Sequence, residues 1–280
     1  MSIHLAYDGS VNGDWIAHYA INFAAHSPEG LLKVLHVETT NVSGAALAEK
    51  FDNIHRIAQR AGVMAEIEIC PMRHGAFGGL VERLPKGRDT VVISGVRAHG
   101  GRRGVLAGTV SERLLYDQEF TVVALRVVQP GLLGVVRRLL LPVAGHPPGA
   151  QSAHALLKLV APSLTELQLL HVVNLTTRKF RALDATTAGA LRHQAQAYLD
   201  GVERDVIDGI DLGGVRLDAQ IRISDDWARE LLIDAGRMRA DMMAIEAPRT
   251  SLLGRFRFSD PLELILRDPP CDVAIYRGAA

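Results

Sequence analysis

Short apolar runs rich in β-branched residues alternate with helix-length segments through residues 3–126, and the alternation then starts again. The runs Ile3–Tyr7, Leu31–Val37, Ala65–Ile69, Thr90–Ser94 and Thr121–Leu125 have the length of buried parallel strands. Between them, helical spacing marks about 12–25, 45–61, 76–84 (stopped by Pro85) and a segment from Val110. Strand–helix alternation of this kind builds βαβ units around a mainly parallel sheet. The segment Val127–Gly134, with Pro130, Gly131 and Gly134, reads as a linker.

Beyond the linker the pattern repeats. Leu35-His36-Val37 returns as Leu170-His171-Val172, and the RRLLLPVAGHPP stretch from Arg137 stands where IHLAYDGS stood. Met242–Ile245 corresponds to Val91–Ser94, and Tyr276-Arg277 to Leu125-Arg126. The offset is about 135 residues early and about 151 late. The second copy therefore carries an insertion between Val173 and Val215, read as a longer second helix. The expected architecture is α/β: two tandem doubly wound Rossmann-like domains, 1–128 and 135–280. Each carries a mainly five-stranded parallel sheet.

Composition narrows the partners. Lys plus Arg equals Asp plus Glu at 31 each, so the basic footprint of a nucleic-acid binder is missing. Two cysteines, Cys70 and Cys271, are too few for a disulfide framework and suit a reducing compartment. No charged leader with a long apolar stretch opens the chain, and no run of about 18 apolar residues occurs. The expectation is a cytoplasmic protein that binds neither nucleic acid nor membrane.

Residues 91–115, VVISGVRAHGGRRGVLAGTVSERLL, carry the chemistry. A strand runs into a loop with Gly95, Gly100, Gly101, Gly104 and Gly108, then into a helix with Thr109 as N-cap and Glu112 completing a capping box. Such a loop offers backbone N–H groups and a helix dipole to an anion, and it also suits a plain surface loop. No Gly-Lys-Ser/Thr closes it, and the Rossmann dinucleotide order is absent. Asp8 ends the first strand and Gly95 the fourth. If those strands are neighbours, both ends open into one crevice, with the carboxylate for a ribose or base and the loop for phosphates. Arg97, His99, Arg102 and Arg103 lie in or near the loop as phosphate contacts or solvated charges. His36 and His171 recur at strand ends, where a structural role outweighs a catalytic one. No Ser-His-Asp or paired-carboxylate order declares itself.

Together these features resemble the universal stress protein family. Its nucleotide-binding motif spaces Gly, two residues, Gly, nine residues, then Gly-Ser or Gly-Thr. Here Gly95, Val96, Arg97 and Ala98 are followed by nine residues and Gly108-Thr109, so the spacing is kept and the second glycine is replaced. The resemblance covers about 2–126 and recurs more weakly over about 135–277. It implies that the two halves pack as an internal pseudo-dimer through their last strands, Thr121–Leu125 and Asp272–Tyr276, as the family's dimers do. It also implies a regulatory protein that binds ATP or AMP in its first half, Mg accompanying ATP, with at most slow hydrolysis. By resemblance Asp8 faces adenine and ribose, Val37 supplies backbone contacts to the base, and Gly95 and Ala98 line sugar and phosphates. Gly108, Thr109, Val110 and Ser111 wrap the phosphates. In the second half Ala144 stands for Asp8, Glu246 for Gly95, and Phe258-Ser259 for Gly108-Thr109, with Pro261 close behind. A carboxylate and a phenyl ring there oppose phosphate binding, so that half is expected to be structural or regulatory. The competing reading is an interaction scaffold without nucleotide. Regulatory protein partners and a further homodimer are compatible with either.

Overall fold

The computed structural model describes residues 1–38, 44–96, 105–106, 108–117, 119–143, 153–247 and 261–279. The first half contributes strands β1 (Ser2–Tyr7), β2 (Leu31–Val37), β3 (Met64–Cys70), β4 (Gly87–Gly95) and β5 (Phe120–Arg126). Its helices are α1 (Val11–Ala25), α2 (Gly44–Arg60), α3 (Gly75–Val81) and α4 (Val110–Tyr116). A 3-10 turn, Pro130–Leu132, sits in the expected linker. The second half has β6 (Arg138–Pro142), β7 (Glu166–Asn174), β8 (Arg216–Ser224), β9 (Met242–Glu246) and β10 (Asp272–Arg277). Its helices are α5 (His154–Val160), α6 (Thr177–Arg181), α7 (Ala185–Gly209), α8 (Trp227–Met238) and α9 (Pro261–Arg267).

All ten strands form one sheet in the order β3-β2-β1-β4-β5-β10-β9-β6-β7-β8. Each half is a parallel five-stranded unit, and the units meet where β5 pairs antiparallel with β10. Ala124 and Ile275 face each other in that register, and they are 151 positions apart. Val273 faces Arg126, and Arg277 faces Val122. The seam thus has two-fold pseudosymmetry, with each repeat position meeting its own counterpart at the axis. The insertion of the second copy becomes α6 and the 25-residue α7, against 17 residues in α2.

Two apolar layers cover the sheet. On one face Tyr19 and Phe23 of α1, Ile54 of α2, Leu156 of α5 and Leu199 of α7 join a single cluster spanning both halves. On the other, Leu80 of α3, Leu114 of α4, Leu231 of α8 and Ile265 of α9 do the same. Layers continuous across the β5–β10 seam give the two units a shared core. The outer edges, β3 and β8, carry the exposed charged residues Glu66, Glu68, Arg216 and Asp218, a charged edge that disfavours further strand addition. Among the described residues, no helix is long and apolar enough to cross a membrane.

Candidate functional site

The strand order places β1 between β2 and β4, so the chain reverses its direction of build at β1. In open α/β sheets that reversal opens a crevice beyond the carboxyl ends of the strands. Asp8 and Gly95 follow the two strands that flank it, the neighbour relation their pairing required. Asp8 is exposed. Its Oδ1 accepts from the Ser10 N–H at 2.9 Å and from the Ser10 hydroxyl at 2.7 Å, and Oδ2 takes neither contact. Ser10 Oγ in turn accepts from the Gly13 N–H at 2.9 Å and caps α1. Asp8 thus orients the cap of α1 at the end of β1.

Gly95 is fixed by crowding. A Cβ there would lie 2.4 Å from Ile16 Cδ1 and 3.2 Å from Asn12 Nδ2. Asn12 also donates to the Val96 carbonyl at 3.1 Å, which draws the first turn of α1 onto the end of β4. Ser111 is buried, and its hydroxyl donates to the Gly95 carbonyl at 2.6 Å. That bond brings the start of α4, with Thr109 and Val110, over the same strand end.

The capping box is present with one change. Thr109 Oγ1 accepts from the Glu112 N–H at 3.0 Å, as a Ser/Thr N-cap should. The Glu112 carboxylate reaches back to the Gly108 N–H at 2.5 Å, one residue beyond the cap itself. Gly108 has φ +73°, and a Cβ there would meet nothing within 4 Å. Only the backbone conformation demands glycine at this turn, and it leaves open space beside it.

Sequence reasoning missed Glu263. This α9 residue comes from the second half and is 1% exposed. Its carboxylate accepts from the Val105 N–H at 2.7 Å and from the Leu106 N–H at 2.9 Å, both in the glycine-rich loop of the first half. Three loop amides expected to face an anion are therefore held by carboxylates, two by Glu263 and one by Glu112. Glu112 and Glu263 are 151 positions apart, the late repeat offset, and that relation was the available signal. The same offset corrects one pairing. Helix α9 starts at Pro261 where α4 starts at Val110, so Ser259, not Phe258, is the counterpart of Gly108.

Val37 ends β2 beneath α3. A Cβ on Gly79 would lie 2.7 Å from the Pro71 carbonyl oxygen and 3.3 Å from Val37 Cγ2, so the helix backbone rests on that side chain. The repeated histidines are structural. His36 Nδ1 pairs with the Tyr7 carbonyl at 2.9 Å and His171 Nδ1 with the Val143 carbonyl at 3.0 Å, each tying a first strand to a second. Among the predicted site residues, Asp8, Gly95 and the 109–111 turn come together at the β1–β4 crevice. Val37 lies one strand away under α3. Ala98, Arg97, His99, Arg102, Arg103, Ala144, Phe258 and Ser259 lie outside the described residues. No group of three or more His, Cys, Asp or Glu residues that would hold a metal occurs among the described residues.

Comparison with known proteins gives the fold its class. The chain matches no protein-family model and no curated protein. Its fold is shared with a universal stress protein from Archaeoglobus fulgidus at TM-score 0.62 and 16% identity, over 98% of this chain and 96% of that one. A putative universal stress protein from Pseudomonas aeruginosa matches at TM-score 0.54 and 14% identity, over 98% and 92%. The cytoplasmic domain of a prokaryotic cation chloride cotransporter matches at TM-score 0.54 and 12% identity, over 99% and 96%. The chain therefore has the tandem universal-stress-type α/β fold along nearly its whole length.

Proposed function

We propose that the protein is a universal-stress-type regulator whose first half takes ATP or AMP at the β1–β4 crevice. One observation carries this reading: the Ser111–Gly95 bond sets the start of α4 over the strand end that neighbours Asp8. A carboxylate and a capped helix start then face one crevice at the sheet's reversal point. In this reading Asp8 takes ribose or base hydrogen bonds, and Thr109, Val110 and Ser111 take phosphate. The Val105 and Leu106 amides do not fit a phosphate role while Glu263 holds them. Magnesium, if it accompanies ATP, is held chiefly by the phosphates. Equilibrium dialysis with ATP and Mg tests the reading. The wild type should retain ATP, and an Asp8→Ala/Gly108→Val double variant should lose at least tenfold in affinity. Equal retention by both removes the site.

The carboxylates on the loop amides favour a second reading, an interaction scaffold that binds no nucleotide. This reading expects no thermal shift with ATP or AMP, because a ligand bound only by the folded state must raise its stability.

A further inference from the structure

The insertion of the second copy, α6 and α7, has an exposed outer face and a separation of charge along its length. Helix α7 is about 37 Å long. It turns Ala188, Ala195, Leu199, Val202 and Val206 inward. On the opposite side Ala190, His193, Ala197, Arg204 and Asp208 are exposed, and with Gly201 they recur every three or four residues. The middle of this seam, Ala190, Ala197 and Gly201, is small enough for another helix to lie close.

The two ends of the element have opposite sign. Residues 177–199 carry Arg178, Lys179, Arg181 and Arg192 against one carboxylate, Asp184. Asp184 is engaged in capping α7, accepting from the Thr187 N–H and hydroxyl at 2.8 Å each. Residues 200–211 carry Asp200, Glu203, Asp205, Asp208 and Asp211 against Arg204. Arg178, Lys179, Arg181, Arg192, Asp205 and Asp208 are exposed and make no ion pair among the described residues. Segment 144–152, which leads into α5 on this face of the sheet, contains no Lys, Arg, Asp or Glu. Carboxylates at a helix C-terminus and cations ahead of its N-terminus oppose the helix dipole. Within one chain that order is unfavourable; between two antiparallel copies each end meets its opposite. Each end also has a large apolar side chain in solvent, Phe180 at 38% and Ile207 at 52% exposed.

We propose that two copies of the chain dimerise through α6 and the outer face of α7, antiparallel about a two-fold axis. The axis passes near the middle of α7, and each α6 lies against the acidic end of the partner's α7. A two-fold contact is closed, so both charged ends are matched and no third copy is recruited. The first half has no counterpart of α6 and a shorter helix here, so it does not offer this surface. The inference is independent of nucleotide binding in the first half.

Sedimentation velocity of the full chain tests it. The wild type should dimerise with Kd of about 10–100 μM at low salt, and at least tenfold more weakly at about 500 mM salt. Two charge-reversed variants follow: Arg178→Glu/Lys179→Glu/Arg181→Glu, and Asp205→Lys/Asp208→Lys/Asp211→Lys. The first is acidic at both ends of the element and the second basic at both. Each alone should lose the dimer by at least tenfold in Kd, with a thermal unfolding midpoint showing that it folds. Mixed in equal amounts, they should form a heterodimer. If one variant does not fold, the other variant and the salt dependence decide. A wild type that stays monomeric at about 200 μM, a dimer that either reversal leaves intact, or folded variants that stay apart on mixing each overturns the proposal.

Discussion

Two copies of one βα plan carry different side chains at the same place in the fold. In the first half, the end of β4 is Gly95, crowded by Ile16 and Asn12, and α3 presses its glycine backbone onto Val37. In the second, the β4 counterpart ends in Glu246, and Trp227 and Leu231 of α8 border a cavity beside the counterpart valine. Both halves keep the histidine that ties first strand to second. What the copies share is the frame, and what separates them is which side chains stand at its carboxyl edge. The difference teaches that a repeat can exchange the side chains at its carboxyl edge without altering its strand order.

The opposite edge differs as sharply. Asp241 and Asp272, at or just before the starts of β9 and β10, stand where the first half has Thr90 and Thr121. Asp272 is fully buried and accepts from the Val128 and Gln129 N–H groups at 2.7 Å each, and from the Tyr19 hydroxyl. Asp241 accepts from the Arg137 and Arg138 N–H groups at 2.9 Å each. These carboxylates fasten the connecting segment to the second half. Asp272→Ala strands three donors at once and should cost about 3–5 kcal/mol in urea unfolding. Thr121→Ala, at the counterpart position, should cost about 1 kcal/mol. Equal losses would show that the linker is not held from one side.

A second contrast lies inside the first strands. His4 is buried, and its counterpart is Leu140. His4 Nε2 pairs with Ser2 Oγ at 3.2 Å, and Nδ1 has no hydrogen-bond partner among the described residues. Burial, helped by the Lys33 charge, pushes the imidazole down from 6.5 to about 4, with Glu29 opposing. Between those values the unfolded chain binds the proton more readily than the folded one. Stability is therefore full above about pH 6.5 and is lost as pH falls towards 4. At about 1.4 kcal/mol per pKa unit, the loss is at most about 3 kcal/mol. His4→Leu, which copies the second half, should flatten that limb when unfolding midpoints at pH 7.5 and 4.5 are compared. Parallel acid limbs would refute the assignment.

The frame was legible in the sequence because apolar period and repeat offset act locally. The β2 boundaries and the capped α4 follow from residues near one another in the chain, and the β5–β10 pairing followed from the family resemblance. Glu263 was not legible as a loop ligand, because its partners Val105 and Leu106 lie over 150 positions away and a glutamate on a short helix reads as solvated surface. Nor was the seating of α3. Nothing in the hydropathy pattern marks its Gly78-Gly79 pair, which crowding against Arg73, Pro71 and Val37 requires. The cavity beside Trp227 depends on helix placement, which hydropathy does not report.

The tie between halves gives the next smaller effect. Both Glu263 oxygens accept a buried N–H, so Glu263→Gln must turn an NH2 group towards Val105 or Leu106. One unsatisfied buried amide costs about 1–3 kcal/mol, and about 2 kcal/mol is expected in urea unfolding. The same variant should speed hydrogen exchange at Val105 and Leu106 while leaving β6–β8 unchanged. Protection that stays as in wild type would mean that the loop is held within its own half.

The smallest expected effect bears on the opening contrast directly. Gly79→Ala adds a methyl 2.7 Å from the Pro71 carbonyl oxygen, a contact that backbone cannot easily relieve, and 3.3 Å from Val37. Overpacking of this kind costs about 1–3 kcal/mol, while the better helix propensity of alanine returns about 1 kcal/mol. A net loss of about 1 kcal/mol is expected. The counterpart helix stands beside a cavity, so Leu231→Ala there should instead enlarge an existing space, and its cost should fall at the low end of the about 2–5 kcal/mol typical of buried leucine truncation. If Gly79→Ala is neutral, α3 is not seated on Val37, and the two halves are more alike at this edge than their side chains suggest.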